Sequence, residues 1–342
     1  MTNYPGVTFV MPAYNAALYI EKAIESIIQQ TVKEWELIIV DDCSDDDTLQ
    51  IAQRYARHDG RIRVLSMDSP SGAAYQPRKK AIMSANTEYV APLDADDWVG
   101  PDYLASLLGL GSKWGADIVF PTMYSVTADG IEHRLVPDSD WKLYGQPVSG
   151  LECVKYTLDG WKIGCNGGVI LKSRYMQVFS CLPDDISYGH ADELLTRWLL
   201  LKCRTVIFSE APYYYRQNEM SITHRLSFSR FTLLLNNLSL LELCLQNFGR
   251  ESCEYQLAQK QNFHGIFDAY RLINDNKLLA EDKRKALKLI NQCRQKVDVE
   301  MLKSVVSPRY LVLIHRWMPT RICLKIIDKI ISLVKSPSEA VK

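Results

Sequence analysis

Residues 89–97 read Tyr-Val-Ala-Pro-Leu-Asp-Ala-Asp-Asp, a short apolar run that turns without a spacer into a cluster of carboxylates. The run Tyr89–Leu93 predicts a buried strand. In an open parallel sheet, ligands bind outside the carboxyl ends of the strands, so side chains placed there carry more information than polar residues elsewhere. Two earlier runs end in the same manner. Val7–Met11 is followed by Pro12-Ala13-Tyr14-Asn15, and Glu36–Val40 by Asp41-Asp42-Cys43-Ser44. Between them lies a helical pattern with Ile20, Ala23, Ile24, Ile27 and Ile28 on one face. The alternation continues through a helix at Asp47–Arg57, a strand at Ile62–Leu65 and a helix at Arg78–Ala85. This is the rhythm of βαβ units around a largely parallel sheet, and the expected fold is a Rossmann-like α/β domain.

Further along, Pro101 is expected to open a helix, where its missing N–H is not needed. Periodicity is poor from Thr122 to Gly160, with turn signals at Asp129-Gly130 and Ser149-Gly150, so hairpins and loops are expected there. A helix is predicted at Asp192–Leu201 and a strand at Thr205–Phe208, before the polar aromatic stretch that begins at Ala211. After about Leu226 the pattern is helical to the end. The expected organisation is therefore an α/β domain over residues 1–225 and a helical C-terminal region over residues 226–342.

Composition narrows the function. Lys plus Arg and Asp plus Glu both number 40 in 342 residues, so no global field points to nucleic acid, and any charge argument is local. The nine cysteines form no CxxC pair and no Cys/His cluster at zinc spacing, which reads as reduced and mostly buried thiols. The first residues lack a basic segment followed by a long apolar core, and no apolar run reaches 18 residues, so a cytoplasmic chain without a membrane span is expected.

Asp94, Asp96 and Asp97 crowd several carboxylates into one turn of chain, an arrangement that repels itself unless a cation or hydrogen-bond donors offset it. A divalent metal is the simplest offset. Mg²⁺ and Mn²⁺ take oxygen ligands, commonly one or two carboxylates together with phosphate oxygens of a substrate. A solvated acidic turn capping the following helix is the competing reading. Ser44–Asp47 likewise fits a helix cap.

These segments carry a resemblance. PAYN at 12–15, VDDCSDD at 40–46, LDADDWVGPDYL at 93–104, HADELLTRWLL at 190–200 and YYYRQNEMSIT at 213–223 together resemble the family 2 glycosyltransferases of the GT-A fold, in their order and at their spacing. The resemblance implies a nucleotide diphosphate sugar donor and an acceptor hydroxyl, with inversion at the sugar carbon. It implies that Asp42 receives a hydrogen bond from the base, beside a wall of Pro12, Tyr14 and Asn15. The Asp94-Ala95-Asp96 tripeptide is implied to bind the nucleotide sugar, Asp94 reaching the ribose and Asp96 holding Mn²⁺ or Mg²⁺ against the diphosphate. Arg78, which follows a loop bearing Gly72, and Arg216 with Gln217 are implied to face the same diphosphate. Asp192 is the implied general base, although Ala191 stands where the family carries a glutamate; Glu193 is the next candidate. His190 and His224 draw no role, and Trp161 with Asn166-Gly167-Gly168 is a candidate lining for the acceptor side.

Beyond Met301 eight basic residues face two acidic ones. Ile322, Ile326, Ile330 and Val334 recur every four residues, with Arg321, Lys325 and Lys329 along the other side. That is the pattern of a helix in a membrane interface, and equally of an amphipathic helix packed on its own core. The first reading implies peripheral contact with the inner face of the cell membrane and a lipid-linked or oligosaccharide acceptor of the kind used in surface polysaccharide synthesis. The competing functions are a sugar nucleotidyltransferase, whose glycine-rich phosphate loop PAYN does not supply, and a non-catalytic nucleotide-sugar-binding module. A polymerising synthase would show membrane spans and a QxxRW segment, whereas Leu194 precedes Arg197-Trp198 at the glutamine position.

Overall fold

The computed structural model describes residues 6–135, 144–158, 166–182, 191–217, 228–273 and 278–303. The chain divides into two compact units, Met1–Glu219 and Met220–Lys342. In chain order the first unit comprises β1 (Val7–Ala13), α1 (Ile20–Ile28), β2 (Trp35–Asp41), α2 (Thr48–His58), β3 (Ile62–Ser66), α3 (Tyr75–Ser84), β4 (Tyr89–Pro92) and β5 (Trp98–Val99). It continues with α4 (Tyr103–Trp114), β6 (Ile118–Val126), β7 (Glu132–Arg134), α5 (Gly150–Leu158), β8 (Val169–Leu171), α6 (Lys172–Phe179), α7 (Ala191–Lys202) and β9 (Val206–Arg216).

Every residue of β1 is buried, as expected of a central strand covered on both faces. It pairs in parallel with β2 on one side and β4 on the other, and β3 extends β2 in parallel. The sheet runs β3-β2-β1-β4-β8-β6-β9-β5, with β7 added to β6. Beyond β4 it is mixed, because β8 enters antiparallel to both β4 and β6, while β6 and β9 are parallel. Chain order thus reverses between β1 and its two neighbours, which opens a crevice at the carboxyl ends of β1, β2 and β4. Helix α1 seals one face with Ile20, Ala23, Ile24 and Ile27, all fully buried, at about 1.5–3 kcal/mol per isoleucine withdrawn from water.

Three sequence expectations change in detail. Pro101 does not open α4; it sits in the preceding turn, and its carbonyl accepts from Thr31 N at 3.0 Å. The helix starts at Tyr103 because the buried Gln30 side chain spans the junction, accepting from Leu104 N at 3.0 Å and donating to Gly100 O at 2.7 Å. Ser149-Gly150 does not close a loop but begins α5, with Ser149 Oγ accepting from Glu152 N at 3.1 Å; the Ser-x-x-Glu spacing is a helix start. The strand expected at Thr205–Phe208 runs on to Arg216, pairing with β6 across a register shift between Phe120 and Thr122. Asp129-Gly130 does form a turn, between β6 and β7.

The second unit contains a 3₁₀ turn, Phe228–Thr232, then α8 (Leu233–Phe248), α9 (Cys253–Ile273), α10 (Ala280–Gln295) and α11 (Val299–Leu302). Phe231, Leu234, Ile266, Tyr270, Ala286, Ile290 and Cys293 make its core. Gln259 is fully buried and ties α9 to the start of α11, donating to Lys296 O at 3.1 Å and accepting from Asp298 N at 3.0 Å. No helix among the described residues is long and apolar enough to cross a membrane. The basic segment 309–342 lies outside the described residues, as do Trp161, His190 and His224.

Candidate active site at the carboxyl ends of the strands

The β1 and β2 ends are locked to each other before any ligand arrives. Asn15 and Cys43 adopt left-handed backbone conformations, φ 48° and 61°. Asparagine tolerates that region, whereas for cysteine it costs about 1–2 kcal/mol. Neighbouring contacts hold the pair in place: Asn15 Oδ1 accepts from Asp45 N at 3.0 Å and Asn15 N donates to Ser44 Oγ at 3.1 Å. Asp46 accepts from Thr48 N at 2.9 Å from one residue before the N-cap, and Asp47 at the N-cap itself makes no side-chain cap bond, so the helix cap expected of this segment is replaced by a turn contact. Pro12 is buried in β1, while Tyr14 and Asn15 stand exposed at the rim. Asp42, 5% exposed, accepts from Ser71 N and from Ser71 Oγ, each at 2.8 Å. A carboxylate offers about four lone-pair positions, so acceptor capacity remains.

At the β4 end the three aspartates take three different roles. Asp94 Oδ1 accepts from Arg78 Nη2 at 2.8 Å, and its Oδ2 from Asn166 Nδ2 at 2.7 Å. Burial pushes the Asp94 carboxyl up to about 6 against the pull of Arg78, with Asp192 and Asp96 repelling its charge as well. Asp97 is 1% exposed and accepts from Tyr213 Oη at 2.6 Å and from Arg216 N at 2.9 Å. Burial raises its carboxyl well above the usual range, with repulsion from Asp96 and Asp94 added. Asp96 is partly exposed at the turn, while the Ala95 methyl belongs to the core, so Ala95 brings only backbone to the rim. β1 separates β2 from β4, so Asp42 and Asp94 follow strands that are two positions apart in the sheet.

Arg216 reaches this turn from the end of β9 rather than from a loop. Its Nε donates to Asp96 O at 3.0 Å, and its guanidinium lies 4.9 Å from the Trp98 ring centroid and 5.0 Å from that of Tyr19. Its terminal nitrogens donate to nothing among the described residues. Lys22 Nζ lies 3.2 Å from the Trp98 centroid, and burial together with Arg216 lowers its affinity for a proton. The two cations make this corner electropositive, the counterpart of the carboxylates beside it. Gln217 instead serves the sheet, donating to Ser125 Oγ at 2.8 Å.

Arg78 is 1% exposed. Its Nη1 donates to Asp192 in the first turn of α7, while Nη2 holds Asp94. Asp192 is therefore brought to the strand ends, with a side chain 35% exposed. Glu193 faces Arg197 at 3.6 Å.

Among the described residues no three His, Cys, Asp or Glu side chains converge as a closed metal cage. The set present suits a hard cation held by one or two carboxylates and completed by a ligand's own oxygens. Asp96 stands at the rim, and the mutual repulsion of Asp94, Asp96 and Asp192 is what a dication relieves. Several contacts that build the site were not readable beforehand. Asp97 with Tyr213 and Asp42 with Ser71 are joined across 116 and 29 residues, and no local spacing marks either pair.

Residues 8–167 match the model of Glycosyl transferase family 2. Over 98 residues the chain is 48% identical to the putative teichuronic acid biosynthesis glycosyltransferase TuaG of Bacillus subtilis, covering 28% of this chain and 38% of TuaG. Over 210 residues it is 29% identical to the poly(ribitol-phosphate) beta-N-acetylglucosaminyltransferase TarS of Staphylococcus aureus, covering 60% of this chain and 34% of TarS. The matches thus span little more than a third of the length of these two relatives. A crystal structure of S. aureus TarS in complex with UDP-GlcNAc superposes with a TM-score of 0.68 at 20% identity, covering 98% of this chain and 95% of that one. The likeness in structure covers both β-rich and helical regions and establishes a GT-A-type fold. Residues 8–167 thus carry the match to the Glycosyl transferase family 2 model, and the fold around them is of the type these glycosyltransferases share.

Proposed function

We propose that this chain transfers a sugar from a nucleoside diphosphate sugar, a UDP-sugar first among them, to an acceptor hydroxyl with inversion. One observation carries the reading. A single buried guanidinium, Arg78, touches both Asp94 at the donor rim and Asp192 at the start of α7, so a donor-binding carboxylate and a candidate base share one site. Asp42 and the Tyr14–Asn15 rim suit a nucleobase, and Asp94 a ribose. Arg216, with its terminal nitrogens unspent beside Asp96, suits a diphosphate, which forked guanidinium donors match well. A divalent cation, Mn²⁺ or Mg²⁺, held by Asp96 supplies charge neutralisation for the departing nucleoside diphosphate.

In this reading Asp192 takes the acceptor proton as the acceptor oxygen bonds to the anomeric carbon. The bond from that carbon to the diphosphate breaks on the opposite face, which inverts the centre. Glu193 is the weaker base candidate because it is directed to Arg197. UDP-GlcNAc bound to TarS and the cell-surface polymers in the names of TarS and TuaG support a UDP-sugar and a lipid-linked or oligosaccharide acceptor of surface polysaccharide synthesis. The basic C-terminal segment supports contact with the inner face of the cell membrane.

The test is calorimetric titration of UDP, GDP, CDP and dTDP with and without Mn²⁺, followed by UDP release from UDP-sugars with oligosaccharide acceptors. The expected result is metal-assisted UDP binding and acceptor-stimulated release. Equal affinity for all four nucleotides, or binding indifferent to chelation, overturns the assignment of donor or metal respectively.

A further inference from the structure

Arg78 is a larger commitment than a donor contact requires. It sits on α3 with Tyr75, Pro77, Ala81 and Ile82, all buried, and it is 1% exposed. A charge so placed is costly unless paired. Its pairs come from distant parts of the chain: Asp94, 16 residues away at 2.8 Å, and Asp192, 114 residues away. Asn166 takes the remaining oxygen of Asp94 at 2.7 Å. The contrast with Arg216 is direct, since Arg216 keeps its terminal nitrogens for a ligand while Arg78 places both of its own on protein carboxylates.

We propose that Arg78 is a positioning residue which holds the Asp192 carboxylate in place for the acceptor and ties that placement to Asp94, rather than a ligand of the donor diphosphate. The inference rests on the glycosyl-transfer reading above and goes beyond it by giving the base its support. Guanidinium is suited to the task because its planar fork fixes two carboxylates at one separation, whereas an ammonium is a point charge on a flexible stem. Helix α7 contributes the base from its first turn, where fraying is greatest. The contact to a residue locked in the core removes that freedom. Because Asp94 shares the guanidinium, a donor that engages Asp94 also steadies the base, so both halves of the reaction rest on one buried group.

The experiment uses the full chain and four proteins: wild type, Arg78→Lys, Asp192→Asn and the double variant. UDP affinity, kcat and the acceptor KM are measured for each. Arg78→Lys is expected to bind UDP within about threefold of wild type while kcat falls by roughly 10². The double variant is expected to turn over no more slowly than Asp192→Asn alone, because one function has been removed twice. A tenfold loss of UDP affinity with kcat preserved overturns the proposal in favour of a diphosphate ligand. Multiplicative losses in the double variant also overturn it, since Arg78 then acts independently of Asp192. Undiminished turnover of Asp192→Asn overturns the base assignment itself, a failure distinguishable from the others by that variant alone. If Arg78→Lys does not fold, Asp192→Asn decides the pairing. It must melt several degrees below wild type, because a buried guanidinium loses half its compensation, and an unchanged melting temperature refutes the contact.

Discussion

Two glycines in left-handed conformations provide a quantitative test of how the site is packed. Gly167 has φ +75° and Gly72 φ +79°, so alanine at either position costs about 1–2 kcal/mol in backbone strain alone. At Gly72 an added methyl meets nothing within 4 Å. At Gly167 the methyl would overlap Cδ2 of Tyr213 and lie 2.9 Å from its Cε2 and 3.0 Å from Pro121 Cγ. Tyr213 is fully buried, and the ring cannot move without loosening its hydroxyl from Asp97, now at 2.6 Å. Overpacking adds about 1–3 kcal/mol, and weakening a hydrogen bond to a carboxylate adds about 1.5–3 kcal/mol. Gly167→Ala is therefore expected to cost about 4 kcal/mol or more, against about 1–2 kcal/mol for Gly72→Ala. At about 2–4 °C per kcal/mol for a unit of this size, the melting temperatures should fall by roughly 10 °C and roughly 4 °C. Scanning calorimetry of both full-length variants measures this. UDP binding should also weaken in Gly167→Ala, because Asp97 holds Arg216 N at 2.9 Å. Equal losses in the two variants would refute the packing argument.

The remaining predictions address the chemistry. Asp96→Ala should lose Mn²⁺-assisted nucleotide binding while its circular dichroism stays that of the wild type; undiminished affinity in Mn²⁺ would remove Asp96 as the ligand. Asp192→Asn should keep donor affinity but lower turnover by roughly 10², and retained turnover would direct attention to Glu193. Asp94, raised from 3.8 to about 6 by burial first of all, holds a proton in the native state that the unfolded chain releases. Its contribution to stability is thus present below about pH 4 and lost as pH rises through about 6. The melting temperature of the wild type relative to that of Asp94→Asn should fall across that window while metal–nucleotide affinity of the wild type grows, and a constant difference would contradict the burial argument. Removing residues 309–342 should abolish sedimentation with anionic liposomes at low salt while donor hydrolysis persists, because each basic residue near such a surface contributes about 1 kcal/mol. Unfolding of the truncated chain would mean that the segment belongs to the core.

Much of this architecture can be read from local pattern. The β-branched runs at 7–11, 36–40 and 89–93 and the four-residue stripe of α1 specify strands and a helix because burial has a period that the sequence must obey. The rim at Asn15, Asp42 and Asp94 follows, since parallel strands of one sheet end on one side. The start of α5 is equally legible in Ser149 and Glu152, whose capping spacing outweighs the turn signal of the glycine between them. The extent of β9 is not legible, because its tyrosines alternate between a buried face that reaches Asp97 and a partly exposed one stacked on Trp98 at 5.3 Å, a pattern that a polar aromatic stretch does not distinguish from a loop.

By itself the sequence determined which residue types stand at the strand ends and that Asp192 begins a helix, because hydrophobic period and helix boundaries are local properties. Only the tertiary structure decided what each carboxylate does there. Asp97 became a buried anchor, Asp94 a shared partner of Arg78 and Asn166, and Asp192 the second partner of that same arginine. The alternation along a strand states which face a side chain takes but not which strand lies beside it. The order β2-β1-β4-β8 is set by how whole faces bury one another, and it is this order that brings residues 78, 94, 166 and 192 to one point.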